Sequence, residues 1–116
     1  LMGASWRGQA DAVKLLLDKG ADASLRNNRS ETALILAAKS GSAIVVKLLL
    51  DRGPDINAKD DFGWTPLMWA AWGGYTTTVR VLVNRSADQR AKNNLGETAS
   101  TLAYKKSHYD VQKLLY

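Results

Sequence analysis

Apolar side chains recur along this chain in two alternating patterns. Leu34, Ala37, Ala38 and Gly41 lie at i, i+3, i+4 and i+7, one stripe of a helix, and Leu67, Ala70, Ala71 and Gly74 repeat it. Each glycine breaks the chain before a second helical set: Val45, Val46, Leu48 and Leu49, then Thr78, Val79, Val81 and Leu82. Thr32 and Thr65 precede the first helices with a side chain suited to capping them. Pro66 sits in a first turn, where a missing N–H costs little. The second helices end at Gly20 and Gly53, and Pro54 prevents continuation. Residues 55–64 and 88–97 each hold a glycine near their end and read as extended turns.

The pattern has a period of 33 residues. Thr32, Thr65 and Thr98 form one column, Leu16, Leu49, Leu82 and Leu115 another, and Asp22, Asp55 and Asp88 a third. Residues 28–60 and 61–93 agree at 11 of 33 positions, far above chance for this composition. Small Ala–Ala pairs fit first helices that approach closely, while Leu and Val of the second helices fill the space between layers.

The strings TPLMWAAWGG, VVKLLLDRGPDINAKD and VKLLLDKGADAS closely resemble the ankyrin repeat. The resemblance spans the whole chain. It implies an all-α ankyrin-repeat solenoid of stacked helix–turn–helix units with protruding β-turns, about three and a half repeats in one domain. The expected units are a partial repeat over 1–27, repeats over 28–60 and 61–93, and a C-terminal capping repeat over 94–116. Further repeats are expected before Leu1, which falls inside a first helix.

Departures from the family pattern carry expectations of their own. Ile35, Met68 and Thr101 replace the motif histidine, so its buried contacts are lost in every repeat. Ser86 stands where Gly20 and Gly53 end their helices, and Ser30 where Gly63 and Gly96 complete a turn; both serines should be left-handed. Tyr104 occupies the column of Ala38 and Ala71, where its bulk obstructs a following repeat.

Composition narrows the chemistry. Apolar residues make up 46% and charged residues 23%, as in an ordinary globular chain. No apolar run reaches the roughly 20 residues that cross a bilayer, and no secretory signal is visible. Cysteine is absent, which excludes disulfides and thiolate chemistry and fits an intracellular location, cytoplasmic or nuclear. Asp61-Phe62-Gly63 spells the kinase metal-binding tripeptide, but the other kinase motifs are missing. One histidine, His108, builds neither a zinc site nor a catalytic pair and falls in a structural column. The aspartates of the third column repeat as turn formers and do not converge. The expectation is a chain with no enzyme activity, cofactor or metal.

Binding on a solenoid uses turn tips and inner helix faces. The family's variable positions, carried over column by column, hold Arg7, Arg26, Arg29, Lys39, Lys59, Lys92, Lys105 and Lys106 against Glu31, Asp61 and Glu97. That balance accounts for the whole net charge of +5. Lys14, Lys47, Arg80 and Lys113 form a column on the second helices, expected to be a solvated convex face. Trp6 and Trp72 share an inner-helix column with Lys39 and Lys105, and Phe62 and Trp64 flank a turn. Trp69 shares a column with Leu36 and Leu102 and reads as structural. The expected partner-binding residues are therefore Trp6, Arg7, Arg29, Lys39, Phe62, Trp64, Trp72, Lys105 and Lys106. They suit a protein-interaction module gripping an acidic protein segment on its concave and turn face, with tryptophans as anchors. Two rival readings are binding of single-stranded nucleic acid or another polyanion, the less favoured partner, and an architectural spacer in a larger protein. No membrane contact is expected.

Overall fold

The computed structural model describes residues 1–115. Among these, the elements are α1 (Met2–Trp6), α2 (Ala10–Asp18), α3 (Ala33–Ser40), α4 (Ala43–Leu50), α5 (Pro66–Gly73), α6 (Thr76–Asn84), α7 (Ala99–Lys105) and α8 (Tyr109–Gln112), with no strand. The odd-numbered helices pack side by side as one row, α1 to α3 to α5 to α7, and the even-numbered helices form a second row behind them. The result is an all-α stack measuring 39 × 25 × 22 Å.

Helix starts follow from the threonine column. Thr32 Oγ1 accepts the N–H of Ile35 at 3.2 Å, Thr65 Oγ1 that of Met68 at 3.3 Å, and Thr98 Oγ1 that of Thr101 at 3.3 Å. Each bond satisfies a donor that the first turn would otherwise leave open. Ala37, Ala38, Ala70, Ala71 and Ala103 are fully buried, which lets neighbouring inner helices approach. Val45, Val46, Leu49, Val79 and Leu82 are fully buried between the rows, each contributing about 1.5–3 kcal/mol. Ile35 and Met68, in the motif-histidine column, are buried and simply extend this core, whereas Thr101 is exposed.

Two glycines are dictated by close approach as well as by backbone. Gly41 caps α3 at φ 78°, and a Cβ there would come within 2.6 Å of the Tyr75 ring. Gly74 caps α5 at φ 72°, and a Cβ would meet His108 Nδ1 at 2.6 Å. The residue after each of these breaks thus packs on the glycine one repeat earlier. His108 is one of these packing residues. Ser30 and Ser86 are left-handed, at φ 60° and 67°, as their glycine columns require, and Ser107 joins them at 61°.

The turns project beyond the inner row and are tied to one another. The N–H of Asp61 donates to the Arg29 carbonyl at 3.1 Å, and that of Asn94 to the Phe62 carbonyl at 3.0 Å. Arg26 reaches one repeat forward to the Lys59 carbonyl at 2.7 Å, and Lys59 reaches the Lys92 carbonyl at 2.8 Å. Asp22, Asp55 and Asp88 each accept the N–H two residues on, the local bond expected of turn formers. On the opposite side, Arg52 pairs with Asp18, and Arg85 with Asp51 at 2.9 Å, joining successive outer helices. Lys14, Lys47, Arg80 and Lys113 are exposed on the outer row.

Candidate functional site

Two of the turns are braced onto their inner helices by the same polar relay. Asn27 Oδ1 accepts the N–H groups of Arg29 at 2.9 Å and Glu31 at 3.0 Å, which closes the turn. Its Nδ2 donates to Glu31 Oε1 at 3.0 Å, and Lys39 of α3 donates to Glu31 Oε2 at 2.9 Å. Two repeats further along the stack, Asn93 repeats the pattern with Leu95 N–H, Glu97 N–H and Glu97 Oε1, while Lys105 of α7 closes on Glu97 Oε2. Burial opposes charge on Glu31, but hydrogen bonds from Asn27 and Lys39 outweigh it and hold the carboxyl below its ordinary value. Glu97 is lowered in the same direction, by Lys105 first and then Asn93.

The turn between these two departs from the relay at every column. Asp60 replaces asparagine, Trp64 replaces glutamate, Trp69 replaces leucine and Trp72 replaces lysine. Asp60 Oδ1 still accepts the N–H groups of Phe62 and Trp64, both at 3.0 Å. Having no amide to donate, its second oxygen instead accepts the indole N–H of Trp69 at 2.8 Å. Trp64 then lies against Trp69 with ring centroids 4.3 Å apart and meets Trp72 edge-on at 5.6 Å. An aromatic brace has replaced a polar one. All three rings stay partly exposed, and with Phe62, Asn94 and Leu95 they line a depression of about 440 Å³.

Cations flank the rings. Lys39 Nζ lies 4.5 Å from the centre of Trp69 and 5.9 Å from that of Trp6, and Lys106 Nζ lies 4.8 Å from that of Trp72. Such contacts contribute about 0.5–1 kcal/mol each at exposed sites. A second depression of about 260 Å³ adjoins the first on the α1 side, lined by Met2, Gly3, Trp6, Arg29, Glu31, Leu36 and Lys39.

The structure therefore brings Phe62, Trp64 and Trp72 together, and gathers Trp6, Arg29 and Lys39 around the neighbouring depression. Lys106 sits over Trp72, while Lys105 is drawn to Glu97. Arg7, exposed just past α1, lines neither depression. Glu31, counted with the anions of the turn face, is buried and holds Lys39. Trp69 and Leu95 belong to the aromatic depression although the sequence reading left them out of the site. Trp69 is structural through Asp60 and surface-forming through its ring. Leu95, 83% exposed at a turn tip, follows Phe62 in the tip column.

A family model for ankyrin repeats (3 copies) matches residues 1–93 and 45–116. The chain belongs to the ankyrin repeat family, whose members are in general non-enzymatic protein–protein interaction modules. No curated protein matches the chain. Among the described residues, no group of three or more His, Cys, Asp or Glu side chains could hold a metal ion. No helix of the described residues is long and apolar enough to cross a membrane.

Proposed function

We propose that this chain is a non-catalytic, intracellular interaction module that binds an acidic segment of another protein across its concave and turn face. Trp64 and Trp72, joined by Phe62, Trp69 and Leu95, supply the apolar anchor site. Arg29 and Lys106 supply charge and form no ion pair among the described residues, whereas Lys39 and Lys105 serve the face mainly by holding Glu31 and Glu97. Trp6 and Arg7 extend the face toward α1. The repeat limits inferred from the 33-residue period, with residues 94–116 as a cap, are part of this reading.

The observation that carries it is the replacement of a self-sufficient polar brace by clustered, partly exposed tryptophans in one repeat alone. A polar brace already closes the turns on either side, so folding does not demand the aromatic version. Tryptophan grouped in a surface depression beside cations has the composition of an interface hot spot.

The test exploits the same comparison. Asp60→Asn, Trp64→Glu, Trp69→Leu and Trp72→Lys together convert the third turn to the relay of its neighbours. The combined variant should keep the helical circular dichroism and cooperative melt of the parent and lose at least tenfold in affinity for acidic segments on a peptide array. Undiminished binding by the folded variant would refute the proposal. Retained affinity for oligothymidylate, falling steeply with salt, would favour the nucleic-acid alternative.

A further inference from the structure

We infer that the two adjoining depressions read one extended segment in a fixed register, a bulky apolar side chain seated at the tryptophan cluster with a carboxylate side chain about five or six residues away toward α1. This rests on the function proposed above and specifies the partner that it leaves general.

The first subsite is the apolar depression bounded by Phe62, Trp64, Trp72 and Leu95. Its rings already pack on one another, at 4.3 and 5.6 Å, so nothing inserts between them. What they offer is a hollow floored by ring faces and edges and walled by two exposed turn tips, which suits Leu, Phe, Trp or Met. Lys39 and Lys106 already lie over Trp69 and Trp72. A cationic occupant would meet their repulsion, and an apolar side chain would not.

The second subsite lies two repeats toward α1, between α1 and α3, where Arg29 and Trp6 share a depression with Leu36. Lys39 stands between the subsites, but its charge is committed to the buried Glu31. Arg29 is exposed and its charge helps to hold Glu31 ionised, but Asn27 and Lys39 supply the hydrogen bonds to that carboxylate, so the guanidinium donors can meet an incoming one. Packed helices such as α3 and α5 lie about 8–10 Å apart, and an extended chain rises about 3.3 Å per residue. The hollows lie two such spacings apart, so about five or six residues separate the side chains that enter them. A second copy of this chain is a poor occupant, because the net charge of +5 makes two copies repel.

A series of fluorescein-labelled peptides of about 15 residues tests the register directly. Each has a Gly/Ser frame and one central Phe, with a single Glu placed from one to six residues to either side. Fluorescence polarisation on the whole chain should be tightest with Glu about five or six positions away on one side. Phe→Ala in the best peptide should cost at least tenfold. Arg29→Glu should reverse the preference, so that the peptide with Lys in place of Glu binds better. Affinity independent of the Glu position, unchanged order on Arg29→Glu, or no binding by any peptide would overturn the two-subsite register. If such peptides still require the tryptophans, losing binding in the fourfold Asp60/Trp64/Trp69/Trp72 variant, the proposed function survives that failure. Equal binding to the parent and fourfold variant sinks both. Concentration-dependent dimers in sedimentation, lost in the fourfold variant, would replace the peptide with a second copy.

Discussion

Trp69 donates its indole N–H to the carboxylate of Asp60 at 2.8 Å, tying the third turn to the middle of α5. Asp60 is buried, so an oxygen deprived of that donor is left without water to replace it. Trp69→Phe keeps the ring and removes the donor. It should cost about 1–3 kcal/mol in chemical denaturation. Adding Asp60→Asn to Trp69→Phe should recover part of the loss, since the amide carries no charge to strand. Equal stability of parent and Trp69→Phe would show that the bond contributes nothing to the brace.

The Glu31–Lys39 pair should make stability depend on acid. Glu31 is held below its ordinary value when folded, so its contribution is present above the unfolded value, about 4.3, and is lost as pH falls through the folded one. Lys39→Gln should cost about 1–3 kcal/mol at pH 7, because a buried carboxylate loses one of its two side-chain donors. Urea melts from pH 7 to pH 3 should show this difference shrinking as pH falls, because acid protonates Glu31 first in the variant, which lacks the Lys39 charge, and only later in the parent. A difference that stays constant down to pH 3 would assign the loss to something other than the pair.

The two left-handed serines should respond differently to glycine. Ser86 is exposed at φ 67°, and relieving a left-handed residue, set against the looser unfolded chain, should stabilise Ser86→Gly by about 0.5–1 kcal/mol. Ser30 also donates its Oγ to Asp61 Oδ1 at 2.7 Å, across the repeat boundary. Ser30→Gly gains the same relief but loses that bond, so its melting point should rise less than that of Ser86→Gly. A larger gain at Ser30 would contradict the role given to its hydroxyl.

Gly41 combines a left-handed backbone with the ring of Tyr75 beside it. Gly41→Ala should therefore cost more than the roughly 1–2 kcal/mol of the backbone alone. At the equivalent place one repeat earlier, a Cβ on Gly8 would lie an ordinary 3.4 Å from Ser42 Oγ. Gly41→Ala should accordingly be less damaging in a Tyr75→Ser background. A double-mutant cycle showing additive effects would rule out the close contact as the source.

The helices, their order and the left-handed serines were legible in the sequence because each rests on spacing or on a residue's backbone preference. Thr32, Thr65 and Thr98 cap their helices whatever surrounds them. The site was harder to read, because charge and exposure there depend on partners one column away. Lys39 and Arg29 both count as turn-face cations in a tally of charges, yet in the fold Glu31 is buried and holds Lys39. Trp69 looked structural because Leu36 and Leu102 share its column; its indole N–H, the atom that sets it apart from leucine, points to Asp60. The clue was present in the columns Asn27/Asp60/Asn93 and Glu31/Trp64/Glu97, which change together in one repeat. Reading columns jointly rather than singly would have found it.

Because the aromatic cluster occupies positions that adjoining units fill with a separate, complete network, it behaves as a removable cassette. Transplanting it to Asn27, Glu31, Leu36 and Lys39 would shift the recognition hollow by one unit while the alanine-lined seams stay as they are. Duplicating a hollow in this way needs four substitutions, and relocating it eight, rather than a new fold, a short mutational route by which a periodic scaffold can acquire, move or discard a ligand.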